Sequence, residues 1–515
     1  MTVNLFLRID DLAGRANAWL DRHALAAFGL VGLVIAAMTL SMAASKPLWH
    51  DEIYTVLLAR LGAADLWTAT RSGVDLSPPL NTWLTHVAVS AAGAGRVPTR
   101  LPPAVGFWLA VAFAFEFVRR RSNTTMALAA ALLLCFTAGY RYSYEARGYG
   151  LMMGFAALSL FAWSEAAAGR RRGLYIPVLA LALAAGYWNQ YYGLFAAAPL
   201  IAGEIVRAIR DRRIDVAVWA ALGLSFLTLV PLVPLMRAAA SLAPTFWRKA
   251  ALSDLFPTYA FLFDSLLYPP FLWAGLIALL LGAIARGLRL SHVSPRALPR
   301  PELAALVFYV ALPAIQIVAA VSTTGVFVPR YALLAVPGVC IAIALAAVRV
   351  THASGVAQIV IAATLAGAFA ATVTIPPSFT NPARQRPALM QLLAQGHRVA
   401  VSGGLMYLQL WYYTPPEMRE RLYYLADPGA ALTYTGSDTI DQGLIGLAKW
   451  SRINVVERPS FTEANPEFRI YASGSGWLVA WLRDHNAPVE QIGVELGAPI
   501  LVVGTLVIRQ ADHPR

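Results

Sequence analysis

The stretch that decides the fold is Ala24–Ala44, ALAAFGLVGLVIAAMTLSMAA, which contains no charged residue. At about 20 residues, such a run is long enough to cross a bilayer as a helix. It is also longer than the ~7–15-residue apolar core of a cleaved signal peptide. Arg8, Arg15 and Arg22 precede it. We therefore predict an uncleaved first membrane span that starts on the cytoplasmic side.

The rest of the chain has the same apolar character. Of its 515 residues, 58% are hydrophobic and 13% are charged, and the mean hydropathy is +0.58. A soluble domain has roughly 25% charged residues, so the composition predicts a polytopic α-helical membrane protein. The net charge of +13 does not indicate nucleic acid, because the arginines form short clusters between apolar runs, as in loops that face anionic lipid. Cys135 and Cys340 lie inside apolar runs, which argues against a disulfide framework or a cysteine metal site.

About eleven apolar runs are candidate membrane spans, namely 24–44, 101–118, 124–139, 148–168, 174–188, 193–206, 215–236, 269–285, 302–321, 331–348 and 355–374. Arginine clusters follow every second run, within 119–121, 170–172, 207–213 and 286–300. Because loops rich in arginine face the cytoplasm, this pattern predicts a cytoplasmic N-terminus. It places the segment after the last span in the periplasm, as expected for a protein of a bacterial inner membrane.

Two segments outside the spans need a separate interpretation. The run 79–94 is short and carries Asn81 and His86, so we predict a helix that lies at the outer interface without crossing. Residues 45–100 then form one large external loop within a transmembrane module of residues 1–374. Residues 375–515 have mixed charge and turn residues, which predicts a small extracytoplasmic α/β domain with strands at 397–401 and 499–508 and a helix at 477–483.

The external end of the first span carries the strongest local signal, Lys46-Pro47-Leu48-Trp49-His50-Asp51-Glu52. Two adjacent carboxylates this close to hydrocarbon are costly, and such residues tend to have a function. An ordinary polar turn leaving the membrane is the alternative interpretation. A carboxylate in this position is suited to deprotonate an incoming hydroxyl group.

A second signal on the same side is Tyr140–Tyr149, YRYSYEARGY, which holds Arg141, Glu145 and Arg147 among four tyrosines. Arg100 and Arg330 lie at the external starts of two other spans. An aromatic belt with arginines reaching to the head groups is the alternative. Because external loops usually avoid arginine, we expect an anionic partner, and arginine holds a phosphate with two parallel hydrogen bonds.

In their order along the chain, these residues resemble the GT-C fold membrane glycosyltransferases, in the branch of the protein O-mannosyltransferases and aminoarabinose transferases. The resemblance covers roughly residues 24–374. It rests on six motifs: Asp51-Glu52, Pro78-Pro79-Leu80, Arg100-Leu101-Pro102, Glu145-x-Arg147-x-Tyr149, Tyr191-Tyr192-Gly193 and Pro329-Arg330-Tyr331. The chain departs from many relatives at Leu76-Ser77, where they have a basic residue, and at Asn189-Gln190, where they have Thr-His.

The resemblance implies an inverting transfer of a sugar from a polyprenyl-phosphate donor to a hydroxyl of a lipid, glycan or protein acceptor. The reaction would take place on the periplasmic face. Asp51 is then the general base, and Glu52 assists it or binds the acceptor. Donor-phosphate contacts are expected from Arg100, Arg141, Arg147 and Arg330. Further substrate-site candidates are His50, Glu145, Tyr149, Tyr191, Tyr192 and Tyr331.

Three alternatives stay open from the sequence. Asp51 and Glu52 could instead hold a divalent cation with His50 or Glu145, although we predict no cofactor and no required metal. A transporter or flippase for lipid-linked saccharides is a different class, but transporters usually place ionisable residues at mid-membrane. Here Glu116 and Glu204 lie near cytoplasmic ends of runs. A polymerase or ligase of lipid-linked glycans is the third alternative.

Overall fold

The computed structural model of the protein describes residues 2–264, 298–351, 354–373, 379–474 and 476–504, with side chains from residue 11 onward and except at 373. Up to residue 373, the described part of the chain is mostly helical. Its α-helices are α1 Thr2–Arg22, α2 Ala24–Ser45, α3 His50–Ala59, α4 Ala63–Arg71, α5 Leu80–Ala92, α6 Arg96–Arg119, α7 Thr124–Cys135, α8 Ala138–Ser143, α9 Tyr149–Ala167, α10 Arg172–Asn189, α11 Ala197–Asp211, α12 Val216–Leu227, α13 Val233–Ser241, α14 Leu255–Leu262, α15 Arg300–Ser322, α16 Val336–Val350 and α17 Gly355–Val373. Short 3₁₀ helices occupy Tyr191–Ala196, Val230–Leu232, Ala243–Thr245, Leu252–Asp254 and Pro329–Ala335.

Helices and strands alternate in the C-terminal segment. The helices are α18 Pro387–Ala394, α19 Gly404–Tyr413, α20 Pro416–Arg419, α21 Pro428–Thr435, α22 Thr439–Ala448, α23 Arg458–Ala464 and α24 Leu478–Asp484. The strands are β1 Val399–Val401, β2 Leu422–Ala426, β3 Val455–Glu457, β4 Phe468–Tyr471, β5 Val489–Glu495 and β6 Ala498–Val503.

Within the described residues, eight helical stretches are long and apolar enough to cross a membrane: Ala24–Ser45, Arg96–Arg119, Tyr149–Ala167, Tyr191–Asp211, Val216–Thr245, Arg300–Ser322, Pro329–Val350 and Gly355–Thr372. Each coincides with a predicted run, which confirms the polytopic helical fold. The predicted run 124–139 gives the shorter apolar helix α7, and 174–188 lies within α10. The run 269–285 lies outside the described residues, so a total of eleven spans stays a prediction.

The helix predicted for the run 79–94 is α5, which has 13 residues. At 1.5 Å per residue, a helix of that length reaches about 20 Å, which is too short for a hydrocarbon core of about 30 Å. Helix α7, a predicted span, is shorter still with 12 residues, so length does not decide between the two, and the interfacial position of α5 stays a prediction.

The chain forms two compact units. One contains residues 1–44, 77–236 and 250–377, and the other contains residues 45–76, 237–249 and 378–515. The segment 45–100, which the sequence predicts to be one external loop, is thus divided between the two units, with the boundary before residue 77. Its first part, with α3 and α4, belongs to the same unit as the C-terminal segment.

Close packing of α6 against α9 shapes the core of the first unit. A Cβ atom on Gly106 would overlap the backbone of Leu151, and one on Gly150 would overlap the carbonyl of Pro103. Gly154 likewise lies against the backbone of Gly106. Small residues of this kind let two helices approach until their backbones touch, which is the usual way of packing helices in lipid.

Several arginines of the clusters in the first unit form ion pairs with acids at helix ends. Arg121 makes a bidentate ion pair with Glu302, with both N–O distances at 2.6 Å. Arg207 pairs with Glu204 at 2.5 Å and with Asp215 at 2.7 Å. Ion pairing explains how so many charges are tolerated beside apolar helices, and it agrees with a structural role for these arginines rather than nucleic-acid binding.

The second unit is built on a six-stranded sheet in the order β3-β2-β1-β4-β6-β5. Strands β1 to β4 are parallel, and β6 pairs antiparallel with β4 and β5. The predicted strands at 397–401 and 499–508 correspond to β1 and β6, and the predicted helix at 477–483 corresponds to α24. The C-terminal α/β sheet domain is therefore confirmed; residues 505–508 of the second predicted strand lie outside the described residues.

The turns that follow β1 and β4 contain Gly403, Gly404, Gly474 and Gly476. A Cβ atom on Gly403 or Gly476 would overlap the backbone of the neighbouring turn. The two turns therefore pack directly on each other, and their glycines serve close backbone approach.

Candidate functional site

The predicted carboxylates lie at the first turn of α3, in the second unit. The helix begins after Trp49, and the Glu52 side chain accepts a hydrogen bond from the Trp49 amide at 3.2 Å. Glu52 is completely buried, whereas the side chain of Asp51 keeps 22% of its surface exposed. The two adjacent carboxylates thus differ, because Glu52 closes its own helix start and Asp51 is the one that solvent reaches.

His50 is the immediate polar partner of Asp51. Its Nδ1 lies 3.1 Å from Asp51 Oδ1, and the residue is 9% exposed. If Nδ1 carries the proton, His50 donates to the carboxylate and fixes its orientation. The Nε2 atom of His50 is buried and has no hydrogen-bond partner among the described residues.

The arginine-rich loop of the first unit consists of α8 and the residues up to Tyr149. The rings of Tyr142 and Tyr149 meet edge to face, with centroids 5.0 Å apart. The Arg141 guanidinium lies 5.5 Å from the Tyr142 ring, and the Arg330 guanidinium lies 5.9 Å from the Tyr149 ring. The structure therefore brings Arg141 and Arg330 to one pair of tyrosines, although they are distant in sequence.

Arg147 is held on the same loop by a network that the sequence does not reveal. Its guanidinium donates to Ser77 Oγ at 2.9 Å. Asn189 Nδ2 donates to the Gly148 carbonyl at 2.7 Å, and Asn81 Nδ2 lies 3.5 Å from the Ala146 carbonyl. The backbone on both sides of Arg147 is therefore restrained by buried asparagines.

Burial controls the chemistry of the tyrosines in this loop. The pKa of the Tyr144 hydroxyl is raised to about 12, first by burial and then by the charge of Glu145, against the lowering effect of Arg141 and Arg100. Burial also raises the pKa of Tyr142, against the lowering effect of Arg330 and Arg141. Both hydroxyls therefore stay protonated at neutral pH and can donate hydrogen bonds, but neither is suited to act as a base.

The remaining candidates have packing contacts. Arg100 is fully buried and donates to the Ala43 carbonyl at 2.6 Å, at the end of the first span. Tyr192 and Tyr331 stack with ring centroids 4.7 Å apart, and the Tyr192 hydroxyl donates to the Val326 carbonyl at 2.5 Å. Tyr191 begins the 3₁₀ helix after α10, and its amide donates to the Gln190 side chain at 2.9 Å.

The candidate residues divide between the units. His50, Asp51 and Glu52 belong to the second unit, whereas the four arginines, Glu145 and the candidate tyrosines belong to the first. Within the described ranges, no group of three or more histidine, cysteine, aspartate or glutamate side chains is arranged to hold a metal ion. The absence of a required metal stays a prediction.

Sequence reasoning missed Ser77, Asn81 and Asn189. Ser77 and Asn189 stand where the chain departs from the family pattern, and this departure was the one available signal. Asn81 follows the Pro78-Pro79-Leu80 motif directly. The sequence alone does not tell that their side chains contact Arg147 and its neighbouring backbone.

Comparisons with known proteins show which family profile and which solved structures this chain is similar to. The sequence profile of the family "Dolichyl-phosphate-mannose-protein mannosyltransferase" matches residues 77–237. The fold is similar to the crystal structure of ArnT from Cupriavidus metallidurans in the apo state, with a TM-score of 0.56 and 15% identity, covering 93% of this chain and 98% of that one. The structure of ArnT from the same organism bound to undecaprenyl phosphate gives a TM-score of 0.54 and 15% identity, covering 95% of this chain and 98% of that one.

No curated protein sequence matches the chain. The fold is that of the GT-C membrane glycosyltransferases, which confirms the fold that the resemblance implies.

Proposed function

We propose that this chain, with its GT-C fold, transfers a sugar from a polyprenyl-phosphate donor to an acceptor hydroxyl. The observation that carries the proposal is that Arg141 and Arg147 lie on the arginine-rich loop, and that Arg330 lies close to Tyr149 of the same loop. Guanidinium groups are well suited to hold a phosphate leaving group. The crystal structure of the similar protein ArnT with undecaprenyl phosphate supports a polyprenyl phosphate as the donor lipid.

In the proposed reaction, the Asp51 carboxylate accepts the proton of the acceptor hydroxyl as its oxygen attacks the anomeric carbon of the sugar. The bond between that carbon and the phosphate oxygen breaks, and the polyprenyl phosphate leaves with the bonding electrons. Arg141, Arg147 and Arg330 stabilise the charge that develops on the phosphate. Attack from the side opposite the leaving group inverts the anomeric configuration.

Asp51 is preferred to Glu52 as the base because of exposure. A general base must reach the proton it removes, and the Asp51 side chain is partly exposed whereas Glu52 is fully buried. We assign Glu52 the task of closing the start of α3 through its bond to the Trp49 amide. Its contribution to rate is then indirect.

The test is sugar transfer by the purified protein, with Asp51→Asn beside the wild type. Loss of a general base lowers kcat by roughly 10²–10⁴-fold, and the melting temperature is expected to stay unchanged. Asp65→Asn is the matched control, because Asp65 is an exposed carboxylate on the following helix. Glu52→Gln should lower the melting temperature and reduce kcat less than Asp51→Asn.

Transfer at the wild-type rate by Asp51→Asn would refute the base assignment. Loss of activity on chelation, restored by Mg²⁺ or Mn²⁺, would favour the divalent-cation alternative. No turnover with any donor, together with movement of the donor across a bilayer, would favour the transporter.

We also propose that the reaction takes place on the periplasmic face of a bacterial inner membrane, with the N-terminus in the cytoplasm. The arginine clusters that alternate between spans support this orientation. Labelling of single cysteines introduced at Asp65 and at Arg212 by a membrane-impermeant reagent tests it. The proposal requires labelling at position 65 and protection at position 212 in intact cells, and the reverse result would overturn it.

A further inference from the structure

The loop that carries Asp51 makes side-chain contacts with the C-terminal segment inside the second unit. The Leu48 amide donates to the Tyr413 hydroxyl at 2.5 Å, three residues before Asp51. The Tyr54 hydroxyl lies 2.9 Å from the Gly443 carbonyl, three residues after Asp51. These contacts join positions more than 360 residues apart in sequence, and they bracket the proposed base on both sides.

Tyr54 connects three parts of this unit. It is 7% exposed, and its hydroxyl also lies 2.5 Å from the Val74 carbonyl at the end of the same loop. A single hydroxyl proton is therefore shared between the Val74 and Gly443 carbonyls. A Cβ atom on Gly446 would lie 3.6 Å from the Val74 side chain, so α22 packs directly against the end of the loop.

Helix α3 needs such contacts to hold its shape. It has 10 residues, which is fewer than the roughly 12–15 at which isolated helices become stable in water. Its residues 52–59 are all buried. The Arg60 guanidinium, just beyond its end, lies 5.9 Å from the Tyr412 ring. Packing within the second unit, rather than local propensity, therefore keeps the turn that carries Asp51 in place.

We infer that the C-terminal segment restrains α3, with Tyr54 and Tyr413 as positioning residues for Asp51. The inference rests on the proposed function for its catalytic consequence, while the restraint itself is independent of it. Tyr413 fixes the backbone before the helix, and Tyr54 fixes its second turn. A general base displaced by a fraction of an ångström transfers a proton poorly, because the reaction requires a set distance and direction.

The test uses the full-length protein with Tyr413→Phe and Tyr54→Phe, which remove only the hydroxyl groups. Tyr434→Phe is the matched control, because the Tyr434 hydroxyl donates to Asp484 at 2.6 Å elsewhere in the C-terminal segment. Hydrogen exchange of the amides of residues 46–60 is measured by mass spectrometry. Loss of one such hydrogen bond is expected to accelerate exchange there by roughly tenfold. Strands β1 and β2 should exchange at the wild-type rate.

Kinetics provide the second measurement. The two variants should lower kcat by roughly tenfold with an unchanged KM for the donor, because the donor contacts assigned to the arginines are untouched. The Tyr434→Phe control should leave both constants unchanged. A rise in donor KM with unchanged kcat would overturn the positioning role.

Hydrogen exchange tests the restraint of α3 separately from its effect on sugar transfer. Unchanged exchange at 46–60, or equal acceleration in β1 and β2, would overturn the restraint. Selective acceleration with wild-type kcat would overturn the positioning of Asp51. Selective acceleration in a protein that transfers no sugar would refute the proposed function and still support the restraint.

Discussion

Replacing Asp441 by alanine or by asparagine separates the hydrogen bonds of a buried carboxylate from its charge. Asp441 lies on α22 and is 2% exposed. It accepts from the Tyr424 hydroxyl at 2.9 Å, the Asp427 amide at 2.9 Å and the Trp477 indole at 3.1 Å. These three donors come from β2, from the turn after it and from the turn before α24. The carboxylate therefore links separate elements of the second unit.

The expected loss of stability depends on how many hydrogen-bond donors each substitution leaves without an acceptor. Alanine removes all three acceptor contacts, and a buried donor without a partner costs about 1–3 kcal/mol. Tyr424 and Trp477 are both buried, whereas Asp427 is only half-buried. Relief of the desolvated charge offsets part of the loss, so we expect Asp441→Ala to destabilise the unit by about 3 kcal/mol.

Asparagine keeps the shape of the side chain. Its carbonyl oxygen can accept from Asp427 and Trp477, and its amide can donate to the Tyr424 oxygen once that hydroxyl rotates. We expect Asp441→Asn to lie within about 1 kcal/mol of the wild type. The difference in stability between Asp441→Ala and Asp441→Asn therefore measures the contribution of the hydrogen bonds, because both variants lack the charge.

The assay is hydrogen exchange of the β1, β2 and β4 amides in the full-length protein. A loss of about 3 kcal/mol corresponds to roughly 150-fold faster exchange in Asp441→Ala. Amides of α6 and α9, in the first unit, serve as the internal control. Equal acceleration in both variants would refute the argument, because it would assign the stability to the charge rather than to the hydrogen bonds.

The pH dependence of this comparison has a defined sign. Burial raises the pKa of Asp441 above its ordinary value of 3.8, against the lowering effect of its three donors. A carboxyl group whose pKa is raised by folding stabilises the folded state below the unfolded value, and this contribution is lost as the pH rises through the folded value. The stability of Asp441→Asn relative to the wild type should therefore increase over the pH range above about 4 in which Asp441 ionises in the folded protein. A constant difference in melting temperature over that range would contradict the shift.

Two further substitutions test the first unit. Asn189→Ala removes the hydrogen bond to the Gly148 carbonyl, so the backbone beside Arg147 loses a restraint. We expect kcat/KM for the donor to fall by up to roughly tenfold in steady-state kinetics. Wild-type kinetics would show that this hydrogen bond does not position the loop. Gly106→Ala places a methyl group where no space exists between α6 and α9, whereas a Cβ atom on Gly29 has nothing within 4 Å. Gly106→Ala should lower the melting temperature in detergent, and Gly29→Ala should not; equal effects would refute the close-packing argument.

The membrane-spanning helices were predictable because each depends on a local property of the sequence, namely a long run of apolar residues. The runs predicted at 24–44 and 302–321 correspond to Ala24–Ser45 and Arg300–Ser322. A backbone in hydrocarbon must satisfy its own hydrogen bonds, so an apolar run of about 20 residues forms a helix whatever its neighbours are. Helices α7 and α10 show the limit of this rule, since neither has both the length and the hydropathy of a clear span.

The sheet was only partly predictable. Strands β1 and β6 stand out as apolar runs, but β2, β3, β4 and β5 did not emerge from the sequence. Parallel strands such as β1 and β4 are short, and β1 has only three residues. Their pairing depends on neighbours far along the chain, so the strand order is a property of the assembled unit.

The sequence by itself determined the residue types of the candidate site and their order along the chain. Asp51-Glu52 and the arginine–tyrosine motifs are local patterns, and local patterns are visible without a fold. Only the tertiary structure distinguished Asp51 from Glu52, since exposure depends on what packs around α3. Only the tertiary structure joined residues 45–76 to the C-terminal segment and placed Asn189 beside Gly148. Such contacts depend on how distant elements pack together, which no window of sequence contains.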